Sequence, residues 1–176
     1  MTGASTGVAL RAAGLADVPT IVAVQAASWR SAYRGIVDEA FLEDIPMAQW
    51  VESWRAHFFA GDTMALVAEE GGRVIGFASV GRPDPSENLP TSVAELHTIY
   101  MGAAHYGQGI GQLLMTAALD HLRSEGFTEV VLWVLEQNER GRRFYERGGW
   151  VTDGASAADC WGATSVARVR YRLTLD

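Results

Sequence analysis

The sequence contains no lysine: all 14 of its basic residues are arginines, against 21 aspartates and glutamates. Without lysine, the chain has no side chain for Schiff-base or lysine-nucleophile chemistry, and it lacks the Gly-Lys-Ser/Thr of a P-loop. The formal net charge of −7 argues against nucleic acid as a partner, because nucleic-acid binding needs a basic surface. A cationic small molecule is the ligand class that this charge favours.

Cysteine and long apolar runs are also scarce. Cys160 is the single cysteine, which excludes an internal disulfide framework. The histidines His57, His97, His105 and His121 lack the H-x-x-x-H spacing of a zinc site, so we expect no bound metal. No apolar run reaches the roughly 18 residues of a membrane helix, and the first ten residues lack the basic and apolar regions of a secretory signal. We therefore expect a cytoplasmic protein without a membrane partner.

The length of 176 residues and a hydrophobic content of 48% predict one globular domain with a sizeable core. We expect a flexible N-terminus over residues 1–6 and a single domain over residues 7–176. The segment 82–92 holds three of the five prolines and predicts a loop. It is not expected to be a domain linker, because the apolar pattern resumes directly after it.

Apolar periodicity divides the chain into alternating strands and helices. It predicts strands over 8–13, 64–70, 73–80, 93–101 and 129–135, and helices over 18–33, 47–58, 138–148 and from the glycines to about 125. Asp17 is expected to cap the first helix, with Pro19 in its first turn. Gly71 and Gly72 predict a hairpin. Further strands at the C-terminus complete a mixed α/β (α+β) class.

Three alternating glycines, Gly107, Gly109 and Gly111, precede a predicted helix in HYGQGIGQLL at residues 105–114. Glycine permits positive φ and a close approach of backbone to a ligand, and the free N–H groups at a helix start favour an anion. The spacing differs from the G-x-G-x-x-G of dinucleotide-binding units. In isolation, the pattern is equally consistent with a tight strand-to-helix turn.

Residues 94–151 taken together resemble the Gcn5-related N-acetyltransferase (GNAT) superfamily. The matching features are, in order, the strand ending IYM, the loop GQGIGQ, Asn138 after the next strand, and RRFYERGGW, in which Tyr145 follows Asn138 by seven residues. SWRSAYRG in the N-terminal third is also similar to the family. The resemblance implies the GNAT fold, a central, mostly antiparallel twisted sheet that is flanked by helices and splayed at the cofactor-binding strand.

The resemblance implies an N-acetyltransferase that moves an acetyl group from acetyl-CoA to a primary amine by direct attack. The acceptor would be a small-molecule amine or a peptide N-terminus. Separately, the C-terminal stretch SVARVRYRL, residues 165–173, alternates apolar and arginine side chains and could pair across a homodimer or lie at a protected edge. Tyr106 departs from the Gln or Arg that the family usually has before the first glycine. This departure leaves open a non-catalytic domain that binds and senses acyl-CoA. Nucleotide binding without a pantetheine arm is a third interpretation.

Several cofactor contacts are implied by the same resemblance. The backbone of Ile99, Tyr100 and Met101 would bind the pantetheine arm as an added strand does, and N–H groups near Met101 would hold the developing oxyanion. The pyrophosphate would lie on the loop residues Gly107, Gln108, Gly109, Ile110, Gly111 and Gln112, with glycines keeping side chains away from the anion. Asn138 would contact the cofactor arm, cap a helix, or do both. One of the four nearby arginines, Arg140, Arg142, Arg143 or Arg147, could reach the 3′-phosphate.

Tyr145 is implied to contact the cofactor and to act as the general acid that protonates the departing thiolate. A phenol of pKa about 10 and a thiol of pKa about 8.5 are close enough for this transfer. Adjacent helical residues point about 100° apart, so Tyr145 and Phe144 are not expected to face one core. Glu95 and His97 alternate onto one strand face toward the acetyl group. Glu95 is the first candidate for the general base and His97 the second.

Trp29, Arg30 and Tyr33 lie where the family's first helix and the following turn wall the acceptor pocket, which Glu95 would also face. Aromatic faces in a negative field suit an ammonium group. Packing of the first helix against the sheet explains these aromatic residues equally well. The identity of the acceptor amine does not follow from these residues, because fold does not fix function.

Overall fold

Seven strands form one sheet in the computed structural model, which describes residues 7–61 and 63–176. The strands are β1 (Val8–Ala12), β2 (Thr63–Glu70), β3 (Arg73–Gly81), β4 (Val93–Met101), β5 (Glu129–Leu135), β6 (Val151–Trp161) and β7 (Thr164–Thr174). The helices are α1 (Val18–Ala32), α2 (Glu39–Glu43), α3 (Met47–Ala60), α4 (Ile110–Ser124) and α5 (Glu139–Arg147). The N-terminus predicted as flexible, 1–6, lies outside the described residues.

The sheet has the order β1-β2-β3-β4-β5-β7-β6, and every neighbouring pair is antiparallel except β4 and β5, which are parallel. Helices cover both of its faces. α4 packs with β3, β4 and β5 in one core cluster, whereas α1 and α2 form a second cluster on the opposite face. The predicted mixed α/β class with a mostly antiparallel sheet is confirmed.

Helix α4 shows how the apolar spacing produces this arrangement. Its apolar residues recur every three or four positions, which places them on one face of a helix. That face is buried against the sheet through Ile110, Leu114, Met115, Ala118 and Leu122. The central strand β5 is buried on both faces, at Val130, Val131 and Leu132, because helices lie above and below it.

The parallel pair β4–β5 stays together only at its start. Its register runs from Val93 opposite Glu129 to Glu95 opposite Val131. After this point β4 continues to Met101 beside β3, and β5 continues to Leu135 beside β7, but the two strands no longer pair. The sheet is therefore splayed between the carboxyl ends of β4 and β5, as expected.

The start of α1 differs from the expectation. The Asp17 side chain does not cap this helix; its carboxylate accepts a hydrogen bond from the Gly14 N–H at 2.8 Å and pairs with Arg11. The hydrogen bond from Arg11 lowers the pKa of Asp17 to about 2. The carboxylate thus stabilises the turn before α1 and its junction with β1. Helix α2 was also absent from the predicted elements, since five residues carry too little periodicity.

Gly109 and Gly14 offer a matched pair for testing the loop before α4. Gly109 has φ +81°, whereas Gly14 has φ −124° in extended backbone, and an added Cβ would meet nothing within 4 Å at either position. Because an L-residue in the left-handed region costs about 1–2 kcal/mol, Gly109→Ala should lower the free energy of unfolding by that amount in urea denaturation. Gly14→Ala should leave it unchanged or raise it slightly. Equal stability of the two variants would contradict this backbone assignment.

Candidate functional site

A cleft of about 770 Å³ opens where β4 and β5 separate. This volume lies within the usual range of small-molecule sites. The residues predicted from the sequence that line it are Trp29, Tyr33, Glu95, His97, Ile99, Tyr100, Met101, Gly107, Gly109, Ile110, Gly111, Gln112, Asn138 and Tyr145. Of the arginines predicted near the phosphates, Arg140 and Arg147 line the cleft, whereas Arg142 and Arg143 do not. The predicted residues Gln108 and Arg30 also lie outside the lining. The Gln108 side chain donates to the carbonyl of Ala104, and Arg30 donates to the carbonyl of Leu42 and so ties α1 to α2.

The glycine loop presents backbone N–H groups to the cleft. Gly107 and Gly109 have φ +76° and +81°, and the space beyond their α-carbons is open. The first helical bond of α4 runs from the Leu113 N–H to the Gly109 carbonyl, so the N–H groups of residues 110–112 have no partner within the helix. Such a cluster of N–H groups at a helix start is suited to an anion.

Gly111 serves a different purpose from the other two glycines. A Cβ at Gly111 would lie 2.7 Å from Cε of Met101 and 3.4 Å from the ring of Phe144. The absence of a side chain therefore lets α4 pack closely against β4 and α5. At Gly111, helix packing is therefore a constraint in addition to the one predicted for an anion.

Tyr106 forms a stacked pair with Arg140 at this end of the cleft. The Arg140 guanidinium carbon lies 3.3 Å from the centroid of the Tyr106 ring, and both residues line the cleft beside the glycine loop. Planar stacking of this kind is a property of guanidinium rather than of ammonium groups. By contrast, Arg143 on the same helix makes an ion pair with Glu139 at 3.1 Å and does not line the cleft.

The free edge of β4 supplies a second set of backbone groups. The Gly102 N–H donates to the Ile75 carbonyl at 2.9 Å, and Tyr100 lies opposite Phe77 in the same register. Since antiparallel strands alternate the direction of their polar groups, the N–H groups of Ile99 and Met101 point to the edge that faces β5. Ser28 Oγ donates to the Met101 carbonyl at 2.8 Å and fixes α1 to this edge.

Asn138 caps α5, because its Oδ1 accepts a hydrogen bond from the Gly141 N–H at 3.0 Å. This cap leaves the N–H donors of the Asn138 amide available in the cleft wall. Gly141 makes room for that amide, since a Cβ there would lie 2.6 Å from Asn138 Nδ2. Gly141 was missed in the sequence, although its position three residues after Asn138 was a usable signal.

Tyr145 lies in the cleft wall with its hydroxyl free of any hydrogen bond to a described residue. Burial of the ring raises the pKa of its phenol. Tyr145 and Phe144 pack against the same core cluster, with ring centroids 5.4 Å apart, so the expectation that they would not face one core is wrong. The nearby Tyr171 differs, because its hydroxyl donates to Glu146 at 2.6 Å and accepts from Arg142 at 3.1 Å.

Trp29, Tyr33 and Tyr100 form the wall on the α1 side. Both Trp29 and Tyr33 are only 7% exposed, and the hydroxyls of Tyr33 and Tyr100 are 3.4 Å apart. Burial raises the pKa of both phenols. Trp29 also packs edge-on against Trp161 at 4.7 Å, while its Nε1 is buried without a hydrogen-bond partner among the described residues. These aromatic residues are therefore part of both the hydrophobic core and the cleft wall.

A β-bulge at His97 determines which side chains of β4 enter the cleft. Ser79 lies opposite Thr98 but Val80 lies opposite Leu96, so His97 is the extra residue. Leu96 faces the α4 cluster, which directs Glu95 to the opposite face, where α1 packs. Glu95 and His97 do come together, with Oε1 and Nδ1 3.7 Å apart.

The sequence analysis also missed the cleft residues Trp133, Asp159, Trp161 and Arg168. They come from β5, β6 and β7. The only signal was the alternation of Arg168 with apolar residues in SVARVRYRL, which does not reveal the neighbouring strand. Among the described residues, no three His, Cys, Asp or Glu side chains form a group that could hold a metal ion. No described helix is long and apolar enough to span a membrane.

Comparison with known proteins identifies relatives of the whole chain. Residues 25–150 match the Acetyltransferase (GNAT) family. Rv2775 of Mycobacterium tuberculosis, a probable N-acetyltransferase, is 30% identical over 173 residues that cover 96% of this chain and 94% of that protein. YuaI of Bacillus subtilis, an uncharacterized N-acetyltransferase, is 33% identical over 131 residues that cover 74% of this chain and 73% of YuaI.

Solved structures share the fold over nearly the full length. The PaiA N-acetyltransferase of Thermoplasma acidophilum, in complex with coenzyme A, has a TM-score of 0.75 at 22% identity and covers 95% of this chain and 98% of its own. YncA of Salmonella typhimurium, a putative acetyltransferase with acetyl-CoA, has a TM-score of 0.71 at 22% identity, with coverage of 97% and 95%. With a family match over most of its length and a relative along nearly all of it, this chain belongs to the acetyltransferase (GNAT) family.

Proposed function

We propose that this chain transfers the acetyl group of acetyl-CoA to a primary amine, which attacks the thioester directly. The observation that carries the proposal is a continuous row of backbone N–H groups without hydrogen-bond partners in the described residues. They run from the free edge of β4 at Ile99 and Met101 to the start of α4, with the free hydroxyl of Tyr145 in the same cleft. The coenzyme A and acetyl-CoA complexes of PaiA and YncA support this choice of donor.

The residues of the cleft fit the parts of acetyl-CoA. The β4 edge would bind the pantetheine amides as an added strand, with help from the Asn138 amide. The N–H groups of the glycine loop and of α4 would bind the pyrophosphate. When bound, the cofactor supplies an acetyl thioester, whose carbonyl oxygen would gain negative charge during attack and accept a hydrogen bond from the Met101 N–H.

Proton movements would involve residues on both sides of the cleft. Glu95, or His97 beside it, would take a proton from the ammonium so that its nitrogen can form the C–N bond. As the C–S bond breaks, the Tyr145 hydroxyl would donate its proton to the departing sulfur. Burial raises the pKa of the Tyr145 phenol, which keeps the hydroxyl protonated and able to donate.

The alternative is a sensor that binds acyl-CoA without turnover, which is left open because Tyr106 replaces the usual Gln or Arg. The stacked Arg140 weakens this alternative, because it provides a cation beside the loop where the usual Gln or Arg is missing. The acceptor remains a small-molecule amine or a peptide N-terminus, without a role for nucleic acid or membrane. The cytoplasmic location and the possible homodimer also stay predictions.

The first test is release of free thiol from acetyl-CoA with a panel of amines. Tyr145→Phe should lower kcat by about 100-fold or more, because it removes the general acid, while the Kd of coenzyme A changes little. Tyr171→Phe is the matched control: it also removes a phenol hydroxyl, but one held by Glu146 and Arg142 outside the cleft. Unchanged kcat in Tyr145→Phe would remove Tyr145 from the mechanism, and binding without turnover of any amine would favour the sensor.

The general base can be assigned with Glu95→Gln and His97→Gln. If Glu95 accepts the proton, its glutamine variant should lose about 100-fold or more in kcat at neutral pH. Its rate should recover as the pH approaches the pKa of the amine, because more of the substrate is then already deprotonated. His97→Gln should retain most of the activity. The reverse result would assign the base to His97, the second candidate.

The cofactor-binding role of Arg140 can be measured without turnover. Arg140→Met should weaken coenzyme A binding by about tenfold in calorimetry, because it removes a charged donor near the phosphates. Arg143→Met is the matched control, since it removes the same charge from the same helix outside the cleft. Dephospho-coenzyme A separates the two phosphate sites: a loss limited to coenzyme A assigns Arg140 to the 3′-phosphate. Equal affinity in both variants would contradict the role.

A further inference from the structure

We propose that Arg168 binds an anionic group of the acceptor, so that the substrate is an amine that also carries a carboxylate, as a free amino acid does. This inference rests on the proposed acetyl transfer to an amine. It concerns the end of the cleft formed by β5, β6 and β7, which contains Arg168, Asp159, Trp133 and Trp161.

Arg168 lies on β7 opposite Leu135, at the carboxyl end of β5. Leu135 belongs to the core cluster of α1, so Arg168 projects from the sheet face on which α1 packs and which also carries Glu95. The Arg168 side chain is 32% exposed, and it lines the cleft. Its charge therefore lies on the acceptor side of the splayed strands.

The guanidinium of Arg168 makes no hydrogen bond to a described residue. Its Nε is buried without a hydrogen-bond partner, and its ion pair with Oδ1 of Asp159, at 3.4 Å, lacks hydrogen-bond geometry. A buried donor without an acceptor destabilises a protein, and such groups call for an explanation. A carboxylate bound in the cleft would supply oxygens to the planar fork of donors.

The two following arginines on the same strand face have no such free donors. Arg170 donates to Asp153 and to Glu87, each at 2.8 Å, and Arg172 is hydrogen-bonded to Glu129 and Asp153. Neither of them lines the cleft. The alternation of SVARVRYRL therefore places three arginines in a row on one strand face. Arg168, which lines the cleft, is left without hydrogen bonds.

The Trp133 ring packs against the guanidinium of Arg168. The Arg168 guanidinium carbon lies 4.5 Å from the centroid of the Trp133 ring, and the Trp133 Nε1 donates to Glu87 at 2.6 Å. The ring is thus anchored at its polar edge, and a guanidinium held against a ring keeps the donors at its own edge free for hydrogen bonds. Such a preorganised fork matches the two oxygens of a carboxylate.

The opposite charge for the amine lies on the same sheet face as this fork. Glu95 lies beside Val131 of β5, and Arg168 lies opposite Leu135, four residues further along that strand. An acceptor with both charges would turn its ammonium toward Glu95 and its carboxylate toward Arg168. Trp29 Nε1, another buried donor, lines the same cleft next to Trp161.

The charges separate this substrate class from two other classes of amine. A polyamine would bring a second cation to the Arg168 guanidinium, which would repel it. A peptide N-terminus has an uncharged carbonyl at the position of the carboxylate. It would bind Arg168 more weakly, because hydrogen bonds between two charged groups are stronger than those to a neutral carbonyl. A free amino acid satisfies both the guanidinium and Glu95.

The test compares matched acceptors that differ only in the carboxylate. Phenylalanine, phenylalaninamide and 2-phenylethylamine form one series, leucine, leucinamide and 3-methylbutylamine form a second, and spermidine represents the polyamines. Thiol release from acetyl-CoA gives kcat and KM for the wild type, Arg168→Met and Arg172→Met. Arg172→Met removes the same charge from the same strand face outside the cleft. Coenzyme A binding to each variant, measured by calorimetry, confirms that the donor site is intact.

The wild type is expected to prefer the amino acid to its amide and to its decarboxylated amine. Arg168→Met should raise KM for the amino acid by about tenfold to a hundredfold, with little change for the decarboxylated amine or in Arg172→Met. Turnover of the amide, the amine or spermidine in preference to the amino acid would overturn this inference and leave the proposed function standing. If coenzyme A binds and no acceptor of this set is turned over, the inference is overturned, and a wider panel that includes peptide N-termini then tests the proposed function separately.

Discussion

The candidate site depends on the point at which the parallel strands β4 and β5 stop pairing. Their register ends at Glu95 and Val131, and each strand is then held only by its other neighbour. Unpaired backbone N–H groups would be costly inside a core, so the separated edges require either solvent or a ligand with strand-like hydrogen bonding. The cleft, its backbone donors and its opening on both sheet faces all follow from this single break.

The two faces of the sheet give the cleft two chemically different ends. On the α4 face, the helix packs so closely that a Cβ at Gly111 would displace the Met101 side chain, and this packing brings the free N–H groups of α4 to the end of β4. On the α1 face, the bulge at His97 keeps Glu95 and Tyr100 on the same side although they are five residues apart. Backbone donors therefore dominate one end and charged and aromatic side chains the other.

The parts of this arrangement that are local along the chain could be predicted from the sequence. The bounds of β4 and β5 and the cap at Asn138 follow from short apolar runs and from residues three positions apart. Asp17 was predicted to cap α1, but its carboxylate instead pairs with Arg11 on the neighbouring strand β1. Arg168 and Trp133 were missed for the same reason: their contact depends on the register of β5 with β7, which no local pattern encodes.

The absence of lysine takes on a structural meaning in this cleft. Arg140 and Arg168, at its two ends, each lie against an aromatic ring, Tyr106 and Trp133. A guanidinium can lie flat on a ring and keep the donors at its edge free, whereas an ammonium is a compact point charge with strong hydration. With an arginine held in this way at each end, the cleft can receive an anionic group on either side of the separated strands. A lysine at these positions would keep the charge and lose the orientation, so the residue type matters there more than the net charge.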